Sequence, residues 1–131
     1  MVRTNLITIA TKMVRGLRGA TTVSENTKAA ILGATSELLE RLIAQNQIVI
    51  SDIASILFST TADLNAEFPA AAARELGFED TPLLCMTEIP VPGGLPMCIR
   101  ILLHVNTDKN QKDLKHIYLK DAIKLRPDQI K

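Results

Sequence analysis

Apolar residues along this chain recur with two different spacings, and the switches between them mark out its elements. Ile31, Ala34, Leu38 and Leu42 fall three or four positions apart, with Leu39 and Ile43 widening the stripe, which is the spacing of one helical face. Ser24, Asn26 and Thr27 stand ahead of it as N-cap candidates, so a helix is expected from about Thr27 to Gln45. Before it, Met13 to Val23 reads as a strand with a bend, in which Gly16 and Gly19 mark a turn or a close approach by a neighbour. After it, "ASILFSTT" is short, β-branched and bounded by Asp52 and Asp63, and reads as a second strand.

In "DLNAEFPAAAARELG", Pro69 is placed to open a short helix and Gly77 to end it. Leu83 to Glu88 and Met97 to Asn106 follow as strands, separated by a Pro-Gly-Gly turn. "NTDKNQKD" is a turn with a helical turn at its end, and "HIYLKDAIKL" is expected to give a final strand or strand pair stopped by Pro127. This order predicts an α/β (α+β) fold, a mixed sheet packed on one long helix plus a short one. One long helix covers only one sheet face, so a second subunit is the expected cover for the other.

The 131-residue length fits one domain, here residues 13–128, with residues 1–12 as an N-terminal extension and 129–131 as a tail. The chain is 47% apolar and 22% charged, a globular balance, and no apolar run reaches the roughly 20 residues of a membrane span. A net charge of +1, no Trp and one Tyr give neither the field nor the stacking platform that nucleic acids require. Two cysteines, Cys85 and Cys98, are no disulfide framework, and a reducing, cytoplasmic setting fits them best.

Arg100 is the most informative position. In a strand from Met97, Ile99, Ile101, Leu103 and Val105 share the core face, leaving Cys98, Arg100, Leu102 and His104 on the other. A guanidinium there reaches solvent, pairs with an acid, or faces a ligand. Glu88 is a candidate partner, although alternation puts Cys85, three residues earlier, on the opposite side unless the strand bends. Cys85 by itself reads as a small packed hydrophobe rather than a nucleophile. Cys85, Cys98, His104 and His116 lack the close spacing of zinc ligands, so no metal site is expected. "RGLRG" lacks the Gly-Lys-Ser/Thr of a phosphate loop, and Tyr118 reads as a strand residue at the sheet surface.

Taken together, "VRGLRGATTV", "TADLNAEFPAAAARELG", "PLLCMTEIPVPGGLPMCIRILLHVNT", "HIYL" and "LRPD" resemble the small trimeric α/β chorismate mutases, distinct from the all-helical class. The resemblance runs from about Met13 to Asp128. It implies a homotrimer with a barrel-like centre and active sites in the clefts between subunits. It also implies an isomerase of aromatic amino acid biosynthesis that converts chorismate to prephenate with no cofactor. That reaction is pericyclic, so the enzyme needs no base or nucleophile, only a way to hold a compact dianion and meet charge developing on the ether oxygen.

By the same resemblance Arg100 points at the ether oxygen, and Arg18 and Tyr118 bind a carboxylate. Glu88 and Cys85 face the ring hydroxyl, beside the backbone of Leu84. Phe68, Ala70 and Arg74 come from the neighbouring subunit, with Leu125 near the mouth and Arg126 in the C-terminal part. The sequence departs from the family where Ala71 replaces a common lysine, Leu84 a threonine and Lys115 an arginine. The loss of charge at Ala71 bears on substrate capture. Two other readings suit the same scaffold: a trimeric small-carboxylate binding protein without catalysis, and a cleft hydrolase acting on enamines or imines.

Overall fold

The computed structural model describes residues 12–126. The expected extension and tail lie outside them except for Lys12, whose Nζ meets Asp52 at 3.1 Å. The described chain forms β1 (Met13–Thr22), α1 (Lys28–Gln45), β2 (Ile53–Thr60), α2 (Ala70–Glu75), β3 (Leu83–Thr87), β4 (Cys98–Thr107) and β5 (Ile117–Tyr118). Short 3-10 turns precede β2 and β5, and a 3-10 helix, Lys120–Leu125, closes the described chain.

The strands form one mixed sheet in the order β3-β2-β4-β1-β5. Central β4 runs antiparallel to both β1 and β2, while β3 and β5 lie parallel to their neighbours at the two edges. Ile99, Ile101, Leu103 and Val105 are all buried on one face of β4, as alternation requires, with Leu17, Ile56 and Phe58 beside them from β1 and β2.

Helix α1 covers that face. Thr27 is its N-cap, accepting from the Ala30 amide, and Ile31, Ala34, Leu38, Leu39 and Leu42 are buried. Thr35 joins them, its hydroxyl satisfied by donating to the Ile31 carbonyl at 2.7 Å. The helix crosses β1 at Gly19, where a Cβ would lie 3.0 Å from the Cδ1 atoms of both Leu38 and Leu42, so the close approach inferred for this glycine is real. Helix α2 ends as expected at Gly77, with φ +96, and the Gly77 and Phe78 amides close back on Arg74 and Ala73.

The last segment differs from expectation. Only Ile117 and Tyr118 pair as strand, and the chain then turns through Lys120 at φ +53 into the 3-10 helix. Leu119, Ala122 and Leu125 recur every third residue, which suits a 3-10 helix and not a strand. That spacing sets buried Ala122 in a small cluster with Ala20 and Cys98, with Tyr118 and Leu125 packed against it. Cys98 is therefore buried under this helix rather than presented on an open sheet face.

The remainder of the second face has no such cover. Leu57 and Leu102 are half-buried there, and Leu84 and Met86 of β3 are exposed, as is Phe68 just before α2. Among the described residues no helix is long and apolar enough to cross a membrane.

Candidate active site

Strand register assembles the site. Arg100 of β4 pairs with Ala20 on one side and Ser59 on the other; Ala20 pairs with Tyr118, and Ser59 with Met86. A row therefore runs across the sheet on the face away from α1, from Tyr118 through Ala20, Arg100 and Ser59 to Met86. Arg18, two residues from Ala20, shares that face diagonally from Arg100. All six line one cleft of about 320 Å³, with Leu125 and Arg126 from the C-terminal end. Of the described residues lining it, three are arginines and none is an acid. Such a cleft attracts a small anion with more than one negative group.

Glu88 sits at the foot of this row. Its Oε2 accepts from Arg100 Nε at 2.8 Å and from the Ser59 hydroxyl at 3.4 Å, and its Oε1 accepts from the Ile89 amide. The carboxylate grips the guanidinium at Nε, and the Cys98 thiol interacts with the same guanidinium from beneath, so Arg100 is held from two sides where it borders the cleft. Arg100 is half exposed and borders the opening, so it is neither turned away into bulk water nor sealed against an internal acid. The turn between the strands is a type II turn with Pro92 and Gly93 at its centre, closed by the Gly94 amide on the Val91 carbonyl at 3.0 Å.

Cys85 is elsewhere. Its strand pairs continuously with β2, without the bulge that would bring Cys85 and Glu88 to one side, and Cys85 packs toward the core. It lines a second groove, of about 390 Å³, with Phe68, Pro69, Thr60 and Leu64. The Ala70 amide and the Arg74 guanidinium both act on its thiol, although burial outweighs them and pushes the thiol up from its ordinary range. Leu84 lies beside it on the exposed face of β3.

The residues named from sequence thus fall into two groups on one chain. Arg18, Arg100, Tyr118, Leu125 and Arg126 line one cleft, with Glu88 joined to it through Arg100 from an adjoining cleft; Phe68 and Cys85 line another groove, with Ala70 and Arg74 acting on the Cys85 thiol. Burial also pushes the Cys98 thiol up, so both cysteines are protonated at neutral pH and poorly suited to nucleophilic work. Among the described residues no three His, Cys, Asp or Glu side chains converge in a way that would hold a metal ion. Three neighbours carry no signal in the sequence: Ser59, which supports Glu88; Met86, which walls the cleft; and His116, whose Nδ1 accepts from the Arg18 amide at 2.9 Å. Only cross-strand register reveals them.

Comparison with known proteins identifies the family. Residues 14–129 match the family described as chorismate mutase type I. The chain belongs to that family. Chorismate mutase AroH of Thermus thermophilus is 49% identical over 117 residues, covering 88% of this chain and 96% of the relative. Chorismate mutase AroH of Bacillus subtilis (strain 168) is 47% identical over 117 residues, 88% of this chain and 92% of the relative. A solved chorismate mutase from Clostridium thermocellum superimposes with a TM-score of 0.81 at 52% identity, covering 82% of this chain and 96% of that one. As a type I chorismate mutase the chain is an intramolecular isomerase of aromatic amino acid biosynthesis, and the mixed sheet with one long helix is this family's fold.

Proposed function

We propose that the arginine-lined cleft is one half of a chorismate site, and that a neighbouring chain's Phe68, Ala70 and Arg74 complete it in a homotrimer of cytoplasmic enzyme; Cys85, expected on the same chain as Glu88, lies instead beside Ala70 and Arg74 and would enter with them. The observation that carries this reading is the division of the expected site residues between two grooves on one chain, which adjoin at Met86. Two copies set edge to edge would bring unlike halves together and cover the apolar side chains of Phe68, Leu84 and Met86.

Within the composite site, Arg18 and Tyr118 would hold a substrate carboxylate, keeping the ring and enolpyruvyl side chain in the compact form needed for rearrangement to prephenate. Arg100 would direct its terminal nitrogens at the ether oxygen, where negative charge grows as the C–O bond lengthens. Glu88 would serve twice, fixing Arg100 through Nε and accepting the ring hydroxyl. Cys85, protonated, would donate or pack at that same end, with the backbone at Leu84 beside it. No proton leaves the substrate and no covalent bond to the protein forms, which suits a site whose thiols are held in the neutral form. Leu125 and Arg126 would close the mouth.

The test is the disappearance of chorismate, followed by its absorbance with purified protein and with Arg100→Ala. Removing one preorganised donor costs about 10² to 10³ in rate, and the loss is expected in kcat. A folded Arg100→Ala protein with near-normal turnover would overturn the assignment. Binding of chorismate without turnover by the unmutated chain would favour the non-catalytic carboxylate binder; no feature of the structure favours the imine hydrolase.

A further inference from the structure

We infer that His116 is a positioning residue for the substrate-binding edge of the site, acting through the backbone of Arg18. The inference rests on the reading above that Arg18 and Tyr118 meet the substrate. Its physical basis is how little regular pairing joins those two residues. β5 contributes only two paired positions, Gly19 with Ile117 and Ala20 with Tyr118. Upstream of them the outer edge of β1 would be left without a partner, and side chains take that role.

The Gln111 amide accepts from the Gly16 N–H at 2.9 Å and donates to the Gly16 carbonyl at 2.6 Å, as a peptide group of a neighbouring strand would. His116 Nδ1 accepts from the Arg18 N–H at 2.9 Å. Beyond the short ladder, the Leu119 amide donates to the Ala20 carbonyl at 2.9 Å. His116 is thus the link nearest the site: it holds the amide of one carboxylate-binding residue and lies two positions before the other.

The role fixes the chemistry of the ring. A backbone N–H aimed at Nδ1 requires a lone pair there, so the imidazole is neutral and carries its proton on Nε2. Burial favours the same neutral form. Loss of this acceptor leaves the Arg18 amide without its partner at the sheet edge and lets β1 and the C-terminal segment drift apart. Both binding groups then lose their common frame. Arg100, anchored separately by Glu88, does not. Carboxylate binding acts on ground and transition states alike, so the effect falls on KM rather than kcat.

Two variants separate this from a general packing role. In His116→Asn, Oδ1 takes the place of Nδ1 and still accepts; in His116→Leu nothing accepts. His116→Leu is expected to raise KM for chorismate about two-fold to ten-fold, the worth of one neutral hydrogen bond, with little change in kcat. His116→Asn is expected to restore KM to near the unmutated value. Unchanged KM in folded His116→Leu, or equal damage in both variants, overturns the inference. If His116→Leu does not fold, ¹⁵N NMR of the unmutated protein decides: an unprotonated Nδ1 at neutral pH supports it and a protonated Nδ1 overturns it. Arg18→Ala serves as the control. If it leaves KM unaltered, the site reading fails; if it raises KM while His116→Leu does not, only the positioning inference fails.

Discussion

At the scale of single residues, Arg100 shows what charge alone does not explain. Its Nε is committed to Glu88 at 2.8 Å, and that contact gives the guanidinium a direction as well as a partner. Replacing Glu88 with Ala removes the grip while leaving the positive charge. If orientation matters as argued, kcat for chorismate is expected to fall about 10²-fold, comparable to loss of a preorganised donor, even though the cleft becomes more positive. A faster enzyme would show that net charge, not aim, governs the rate. His116 gives a second residue-scale prediction. Burial lowers its pKa below the ordinary 6.5, so the unfolded chain takes up its proton more readily than the folded one. This contribution to stability is complete above 6.5 and is lost as pH falls through that value toward the lower folded pKa. Thermal unfolding of the unmutated protein and His116→Asn from pH 7.5 to 5 should show a steeper decline in Tm for the former. The carboxylates titrate in both proteins, so their difference isolates the histidine. Arg100 and Glu88 are legible in sequence because a charge in an apolar strand is conspicuous. Ser59 and His116 are not, since a serine or histidine gains its meaning only from what the register sets opposite it.

At the scale of elements, what is legible follows from how local the cause is. The stripe in α1 and its Thr27 cap lie within a few residues of each other, and the helix forms where the pattern puts it. The closing segment reads as strand in the sequence because its β-branched and aromatic start masks the threefold recurrence of Leu119, Ala122 and Leu125. Burial of Ala122 against Ala20 and Cys98 shows which signal prevails. Two glycines allow the helix–sheet packing to be tested in opposite directions. At Gly19 a Cβ would meet Leu38 and Leu42 at 3.0 Å and the Ile117 carbonyl at 3.3 Å. Gly19→Ala is therefore expected to cost about 1–3 kcal/mol through overpacking. Gly33 lies exposed within α1, where an added Cβ would find nothing within 4 Å, so Gly33→Ala is expected to add about 0.5–1 kcal/mol. Denaturant midpoints for the two variants check both signs, and equal effects would remove the close crossing at Gly19 as a feature of the fold.

At the scale of the whole molecule, the question is why a chain with a full set of site residues keeps them in two places. Alternation along β3 puts Cys85 and Glu88 on opposite sides, and the strand stays regular, so no local distortion unites them. The sequence already contains that obstacle; what it lacks is the distance between the two groups, which depends on where α2 and the 3-10 helix dock. If unlike halves meet across an interface, each half can be destroyed separately and activity regained by mixing. Arg100→Ala removes the cleft's main donor, and Arg74→Ala removes a cation from the other half while leaving its own chain's cleft intact. Each variant alone should be impaired. After the two are mixed in equal amounts and allowed to exchange subunits, one of the four ways of pairing halves is free of both changes, so about a quarter of the sites should be restored. Light scattering should report three chains per particle, and Leu84→Asp, placing a charge on the exposed apolar face, should dissociate it and abolish turnover. Activity that stays at the level of the separate variants despite proven exchange would mean that each chain builds its site alone, and the two-halved geometry would need another explanation.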